Sequence, residues 1–200
     1  MASGNKISVL ATGLANISSV LAAFTRIGNQ VELVESAAEI EKASYLVIPG
    51  VGAFGAAMAR FRELALLDAV RERVLRDKPI LGICLGMQLL CDSSEESPGV
   101  QGMGIFNGVV EKLSGKEKVP QLGWNKIEPS SNRGLVVEGY AYFANSYCLK
   151  IAPSDVLAST TMHGETFISA IQKNSLLACQ FHPELSGAWG QELLRKWSNL

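Results

Sequence analysis

The segment from Pro79 to Leu90 constrains the fold of this chain more than any other stretch. An apolar run, Pro79–Cys84, passes directly into a helical pattern through the sequence Gly82-Ile83-Cys84-Leu85-Gly86. We expect the run to form a buried strand. The two glycines allow that strand and the following helix to pack where side chains would collide. The segment therefore predicts a strand, a sharp turn at Cys84 and a helix, as in an α/β fold.

The rest of the chain divides into two patterns. Up to about residue 105, short aliphatic runs alternate with helical patterns, which is typical of βαβ units that form a parallel sheet. Beyond it, short strands separated by Gly, Pro, Asn and Ser indicate antiparallel pairing, and a last helix is predicted from Trp189 to Trp197. We expect one α/β domain over residues 1–200, with a central, mostly parallel sheet flanked by helices and an antiparallel extension. The predicted strands are Ile7–Leu10, Gln30–Val34, Tyr45–Ile48, Pro79–Cys84, Gly108–Leu113, Lys126–Glu128, Ala141–Tyr147, Val156–Thr161, Phe167–Gln172 and Leu176–Phe181.

A long amphipathic pattern separates the third and fourth predicted strands. Apolar residues recur at spacings of three and four from Met58 to Val74, while Arg and Glu fill the opposite face. Arg73 belongs to that polar face, and Asp77-Lys78-Pro79 ends the pattern. The segment therefore predicts helical structure with Arg73 on its polar side.

Composition excludes several classes of protein. The 18 Lys+Arg and 19 Asp+Glu give a formal net charge of −1, so there is no strong field for nucleic acid or an anionic membrane. With 48% hydrophobic residues, the chain can bury a core and is not disordered. A polar N-terminus is followed by a short apolar run, Ile7–Leu10, which is too short for a secretory or membrane segment. We therefore expect a cytoplasmic protein.

The cysteines do not form a recognisable framework. Cys84, Cys91, Cys148 and Cys179 show neither CxxC pairing nor the density of a disulfide scaffold. The two histidines do not complete a zinc site at these spacings. We expect reduced thiols, with no metal and no cofactor.

Cys84 is the candidate nucleophile. At the start of a helix, free N–H groups and the helix dipole favour a thiolate. The alternative is a buried apolar cysteine on an ordinary strand, but the flanking glycines and the change from strand to helix argue against it.

A thiolate nucleophile needs a base, and His182 is the better of two candidates. It comes directly after an apolar strand, and Glu184, two residues on, can accept a hydrogen bond from its imidazole. A solvated His-Pro corner is the alternative for this pair. His163 precedes Gly164 in a predicted hairpin turn, and we expect it at the surface.

A glycine-rich turn, Pro49-Gly50-Val51-Gly52, follows the strand Tyr45–Ile48. It lacks the Gly-Lys-Ser/Thr ending of a phosphate loop and the spacing of a dinucleotide loop. Its backbone N–H groups suit an oxyanion that develops beside the nucleophile strand.

Taken in order, these three motifs resemble a class I (triad) glutamine amidotransferase. Within that class, the Pro-Gly-Val-Gly turn, Leu122-Gly123-Trp124-Asn125 and the Ser186-Gly187 that follows Phe181-His182-Pro183-Glu184 are similar to the glutaminase-subunit family of imidazole glycerol phosphate synthase. The resemblance extends over nearly the whole chain, and the length fits a separate subunit.

The resemblance implies a set of catalytic roles. Cys84 attacks the side-chain amide of glutamine, His182 passes a proton to ammonia, and Glu184 orients His182. The backbone N–H of Leu85, together with one from Gly50 or Val51 after a peptide flip, forms the oxyanion hole. The glutamine-binding residues implied by the family are Gly52, Gln88, Ser146 and Tyr147.

The resemblance also implies a partner. Ammonia would pass to a separate (β/α)-barrel cyclase subunit in a heterodimer, which makes imidazole glycerol phosphate and AICAR in histidine biosynthesis. Asn16 and Trp124 are expected at the partner face, although core packing is an alternative for Trp124. Without the partner and its ligand, we expect the chain to have almost no glutaminase activity.

Three positions depart from the family pattern. Gln121 and Asn145 stand where the family usually has His, and Leu185 stands where Lys or Arg usually follows the His-Pro-Glu motif. Leu185 therefore removes the cation of the usual ion pair between the subunits. The alternatives are an amidotransferase subunit that serves a cyclase-like partner in surface-sugar amidination, an inactive scaffold subunit, and an independent cysteine hydrolase of amides or peptides.

Overall fold

The computed structural model describes residues 4–13 and 17–200. Helices α1 to α6 and a short 3-10 helix connect strands β1 to β12 over these ranges. The strands are β1 Lys6–Leu10, β2 Gln30–Val34, β3 Tyr45–Gly50, β4 Ile80–Cys84, β5 Cys91–Ser94, β6 Phe106–Lys112, β7 Gln121–Pro129, β8 Gly139–Asn145, β9 Tyr147–Leu149, β10 Leu157–Met162, β11 Thr166–Lys173 and β12 Leu176–Cys179. The helices are α1 Ile17–Arg26, α2 Ala37–Lys42, α3 Phe54–Glu63, α4 Leu67–Leu75, α5 Leu85–Leu89 and α6 Gly187–Trp197, with the 3-10 helix at Pro183–Leu185.

The main sheet has the order β2-β1-β3-β4-β12-β11-β10-β7-β8. Pairing is parallel from β2 to β12 and antiparallel from β12 to β8. The predicted α/β fold with an antiparallel extension is therefore confirmed, and the extension is as wide as the parallel part. The last helix, predicted from Trp189, begins slightly earlier, at Gly187.

A smaller sheet, in the order β5-β6-β9, was only partly predicted. Strand β5 has the polar sequence Cys91-Asp92-Ser93-Ser94, which gave no strand signal. The predicted strand Ala141–Tyr147 is in fact two strands, because the chain leaves the main sheet at Ser146 and enters the smaller one as β9. The Ser146 carbonyl is held there by the N–H of Leu113, at 2.9 Å.

The core lies on both faces of the sheet. Successive residues of β3 point to opposite faces, so that Leu46 and Ile48 join one apolar cluster and Val47 joins the other. On the second face Trp197 of α6 is fully buried against Phe24 of α1 and Tyr45 of β3, with ring centroids 5.8 and 5.5 Å apart. Within the described ranges, no helix has the length and apolar character needed to cross a membrane.

The amphipathic segment differs from its prediction in two ways. It is divided into α3 and α4 at Ala65, which has a left-handed φ of 52°. The side chain of Arg73 is buried rather than on a polar face. Its guanidinium donates to backbone carbonyl oxygens, and burial lowers its pKa to about 10. These acceptors are the oxygens of Ile40, Ala43, Ser44 and Pro79.

Candidate active site

Cys84 lies at a strained junction between β4 and α5. Its backbone has φ 52° and ψ −109°, a conformation that costs a non-glycine residue about 1–3 kcal/mol. The neighbouring backbone is packed too closely for side chains. A Cβ at Gly86 would lie 1.9 Å from the carbonyl oxygen of Ile48, and one at Gly50 would lie 2.8 Å from the Cβ of Leu85. The predicted sharp turn at Cys84 between strand and helix, which we call the elbow, is therefore confirmed, as is its need for glycine at position 86.

Hydrogen bonds to its backbone position His182. Strand β12 ends at Cys179, and the N–H of His182 donates to the Tyr142 carbonyl of β8 at 2.8 Å. The Ser186 hydroxyl donates to the His182 carbonyl at 2.6 Å and accepts from the N–H of Tyr142 at 3.0 Å. Three hydrogen bonds thus fix the start of the 3-10 helix against the sheet.

The imidazole of His182 is paired with Glu184. Its Nδ1 is 2.8 Å from Oε1 of Glu184, and both side chains are buried. Burial alone lowers the pKa of His182, but hydrogen bonds with Cys84 and Glu184 outweigh it and raise the pKa to about 10. The geometry therefore favours an imidazolium between a sulfur and a carboxylate.

The four cysteines have different surroundings. Cys84 lines a cavity, and its sulfur lies 3.6 Å from Nε2 of Gln180. By contrast, burial raises the pKa of both Cys91 and Cys148 to about 12. Burial also raises the pKa of Cys179 well above its ordinary value. These three thiols remain protonated at neutral pH, and all four cysteines are free.

A cavity of about 230 Å³ brings most of the predicted site residues together. Cys84 and His182 line it, as do the predicted oxyanion residues Val51 and Leu85. The predicted glutamine-binding residues Gly52, Gln88, Ser146 and Tyr147 also line it. Gly50 and Glu184 line a neighbouring cavity of about 190 Å³, which shares Val51, Ala144 and His182. Gly50 is also the register partner of Cys84 in the β3–β4 pair.

Two polar residues at the site were not singled out from the sequence. Glu96 lines the 230 Å³ cavity, and its Oε2 accepts from the N–H of Phe54 at the start of α3, at 2.7 Å. Gln180 lies two residues before His182 and touches the Cys84 sulfur. Gln180 belongs to the predicted strand Leu176–Phe181, but the side chains of Glu96 and Gln180 reach the site only through the tertiary fold.

Three further residues were singled out from the sequence: Trp124, Asn16 and His163. Trp124 is 57% exposed and stands edge-on to Tyr142, which excludes core packing. Asn16 lies outside the described residues. His163 is in the β10–β11 hairpin turn, away from the cavity linings, with Nε2 2.9 Å from the Lys118 carbonyl.

The structure shows the surroundings of the three residues that depart from the family pattern, Gln121, Asn145 and Leu185. Gln121 and Asn145 are register partners across β7 and β8, and both are buried. Their side-chain carbonyl oxygens have no hydrogen-bond partner among the described residues. Leu185 is exposed and lines the smaller cavity beside Glu184.

Comparison with known proteins agrees with this geometry. The family model of class I glutamine amidotransferases matches residues 9–198. The imidazole glycerol phosphate synthase subunit HisH of Oceanobacillus iheyensis is 35% identical over 198 residues, covering 97% of this chain and 98% of that protein. The HisH of Deinococcus radiodurans is 40% identical over 195 residues, covering 94% and 91%.

Solved structures give the same fold. A crystal structure of a glutamine amidotransferase superposes with a TM-score of 0.76 at 22% identity, covering 97% of this chain and 99% of that one. The structure of PurLQS from Thermotoga maritima gives a TM-score of 0.76 at 15% identity, covering 98% of each chain. With a cysteine elbow, a histidine–glutamate pair and HisH relatives along nearly its whole length, the chain belongs to the class I glutamine amidotransferases and, among them, to the HisH subunits of imidazole glycerol phosphate synthase.

Proposed function

We propose that this chain hydrolyses glutamine to glutamate and ammonia through Cys84, His182 and Glu184, and that the ammonia is used by a cyclase subunit. The observation that carries the proposal is the shared cavity. It is lined by Cys84, which has a strained backbone conformation, and by His182, whose Nδ1 is hydrogen-bonded to Glu184.

The chemistry follows from the charges of these groups. The Cys84 thiolate attacks the side-chain carbonyl carbon of glutamine, and the C–N bond breaks while the imidazolium of His182 donates its proton to the departing ammonia. A γ-glutamyl thioester remains. His182 then accepts a proton from water as the water oxygen attacks the thioester, which releases glutamate and the thiolate.

Backbone N–H groups would stabilise the oxyanion in both steps. Leu85 is the first residue of α5, Gly50 is the register partner of Cys84 in the β3–β4 pair, and Val51 follows Gly50. In other enzymes, removing one such donor slows the reaction by about 100 to 1,000-fold. If the Val51 peptide turns its N–H towards the oxyanion only when a partner is bound, the chain alone would have little glutaminase activity.

Other residues that line the same cavity suit the amino-acid end of glutamine. Glu96 supplies a carboxylate, which attracts the α-ammonium group. Gln88 is held by Tyr147 and Gln180, and Gly52 has a φ of 102° that favours glycine. We assign these groups to substrate binding.

A partner surface is proposed beside the site. It is formed by Leu122, Trp124 and Tyr140 on the β7–β8 hairpin, at the edge of the main sheet. These side chains are 66%, 57% and 59% exposed. Leu122 is paired with Ala144, which lines both cavities, so the apolar surface leads to the triad. The HisH relatives are named as subunits of imidazole glycerol phosphate synthase, and we propose its cyclase subunit as the partner.

Glutamate release tests the enzyme proposal. We would measure it for this chain alone and mixed with a cyclase subunit and its nucleotide ligand. We expect a large increase that needs both, is abolished in Cys84→Ala and is retained in Cys148→Ala, whose thiol is buried away from the cavity. No increase with that cyclase would indicate a different barrel partner. Full activity of the chain alone would instead indicate an independent hydrolase.

Trp124→Ala tests the partner surface. If Trp124 is one of the few aromatic residues that dominate this interface, its truncation should cost about 2 kcal/mol, which corresponds to about a 30-fold weaker complex. Calorimetric titration with the cyclase subunit measures the loss. Because Trp124 is mostly exposed, the unfolding temperature of the free chain should hardly change. Unchanged affinity would place the interface elsewhere, and Leu75→Ala, exposed on α4, is the matched control.

A further inference from the structure

Gln180 connects the nucleophile to the glutamine-binding wall. Its side chain is fully buried, and its backbone N–H donates to the Ser169 carbonyl at 2.8 Å. Its Nε2 lies 3.6 Å from the sulfur of Cys84, and its Oε1 accepts from Nε2 of Gln88 at 2.9 Å. A buried amide is costly unless its donors and acceptors are paired, so these contacts define its orientation.

The orientation of both amides follows from one backbone carbonyl. The Tyr147 carbonyl can only accept, so the group of Gln88 that lies 3.0 Å from it is the donor Nε2. That same Nε2 faces Gln180, which must present its acceptor Oε1. The Nε2 of Gln180 is then directed at the sulfur, so that an amide donor faces the atom that would carry the negative charge of the proposed nucleophile.

We propose that Gln180 is a positioning residue that stabilises and orients the Cys84 thiolate while it fixes the amide of Gln88. The proposal rests on the nucleophile role proposed for Cys84. When the thioester forms, the sulfur loses its charge and this hydrogen bond weakens, and it strengthens again when the thiolate is released. Because both N–H groups of Gln88 are used inside the protein, its Oε1 is left to accept a bond from the substrate.

Two substitutions separate the two contacts. Gln180→Glu keeps an acceptor for Gln88 but replaces the donor at the sulfur with a carboxylate. Gln180→Met removes both contacts at nearly constant size. We expect Gln180→Glu to lower kcat at least tenfold with little change in KM for glutamine. Gln180→Met should lower kcat about three- to tenfold and also raise KM severalfold.

The pH dependence of Cys84 alkylation gives a second readout that needs no partner subunit. The rate of iodoacetamide labelling at Cys84, followed by peptide mass spectrometry, should have its midpoint raised by about one pH unit or more in Gln180→Glu. Gln180→Met should raise it less. Gln101→Glu, at an exposed position, makes the same charge change as a control and should leave the midpoint unchanged.

The outcomes distinguish this proposal from the proposed function. Folded Gln180 variants with the alkylation midpoint and the kinetic constants of the unsubstituted chain would overturn the role of Gln180 alone. Glutaminase activity in Cys84→Ala would overturn the function on which it rests. If the variants do not fold, the side-chain ¹H–¹⁵N signals of Gln180 in the unsubstituted chain decide. These signals should change position with pH at the same midpoint as Cys84 alkylation, and the change should be absent in Cys84→Ala. Signals that do not change with pH would contradict the proposal.

Discussion

Gly86→Ala is the substitution for which the structure gives the clearest expected magnitude. A Cβ at Gly86 would lie 1.9 Å from the Ile48 carbonyl oxygen, whereas carbon–oxygen contacts in proteins are close at about 3.3 Å. Strand β3 and helix α5 would therefore have to separate by about 1.4 Å, which is the difference between these two distances. The backbone of residue 86 fixes the position of the new Cβ, and its neighbour is a backbone oxygen, so no side-chain rotation relieves the contact.

The separation has two measurable effects. Overpacking of this kind costs about 3 kcal/mol, the upper end of the usual range, because only the backbone can move. For a domain of this size, that lowers the unfolding temperature by about 6–12 °C. The shift also moves Gly50 and Val51 away from Cys84, and a misplacement of about 1 Å can slow catalysis about 100-fold.

Differential scanning calorimetry and glutamate release with the cyclase subunit measure the two effects. Gly115→Ala is the matched control, because Gly115 has a φ of 76° and no heavy atom within 4 Å of the new Cβ. It should cost only about 1 kcal/mol and retain activity. If Gly86→Ala were as stable and as active as this control, the close approach of β3 and α5 would not be what requires glycine at the elbow.

Two further predictions concern buried charge. Arg73→Met should destabilise the fold by about 3 kcal/mol in urea unfolding, because the carbonyl oxygens that bind the guanidinium lose a charged donor. Arg76→Met, at the exposed residue that follows α4, should change stability by less than about 0.5 kcal/mol, and equal losses would refute the role of the buried arginine. For His182, burial lowers the pKa but its two hydrogen bonds raise it from 6.5 to about 10. The imidazolium therefore contributes stability that is fully present below about pH 6.5 and is lost as the pH rises through about 10. The stability difference between the unsubstituted chain and His182→Gln should shrink between pH 7 and 10, and a constant difference would contradict the raised pKa.

The parallel half of the fold was predictable because its inner strands β1, β3, β4 and β12 are almost entirely buried. Runs such as Tyr45–Ile48 and Pro79–Cys84 are continuously apolar, and this pattern survives in the structure with shifts of one or two residues. Strand β7 was harder to predict. The structure begins this strand at Gln121, whereas the sequence predicted a start at Lys126. The first residues were missed because the exposed face of the strand carries the apolar residues Leu122 and Trp124. Apolar residues on a solvent-facing strand remove the alternation on which strand prediction depends.

The errors in the amphipathic segment have a different origin. Periodicity averages over several turns and does not register a single left-handed residue, and Ala65 is neither Gly nor Pro. The burial of Arg73 depends on carbonyl groups around the end of α2 and the start of β4. No property of the local sequence distinguishes Arg73 from Arg76, since the acceptors belong to other segments.

The same distinction explains which site residues the sequence could provide. Cys84, His182 and Glu184 are recognisable because each sits in a short motif whose local geometry is part of its chemistry. Gln180 has no such signal, since it directly follows the apolar strand β12 and its two partners are 92 and 96 residues away in the chain. Its orientation is decided by a backbone carbonyl, which any residue in place of Tyr147 would also supply. A polar side chain fixed by another segment's backbone therefore leaves no sequence pattern of its own, and such groups have to be found in the folded structure.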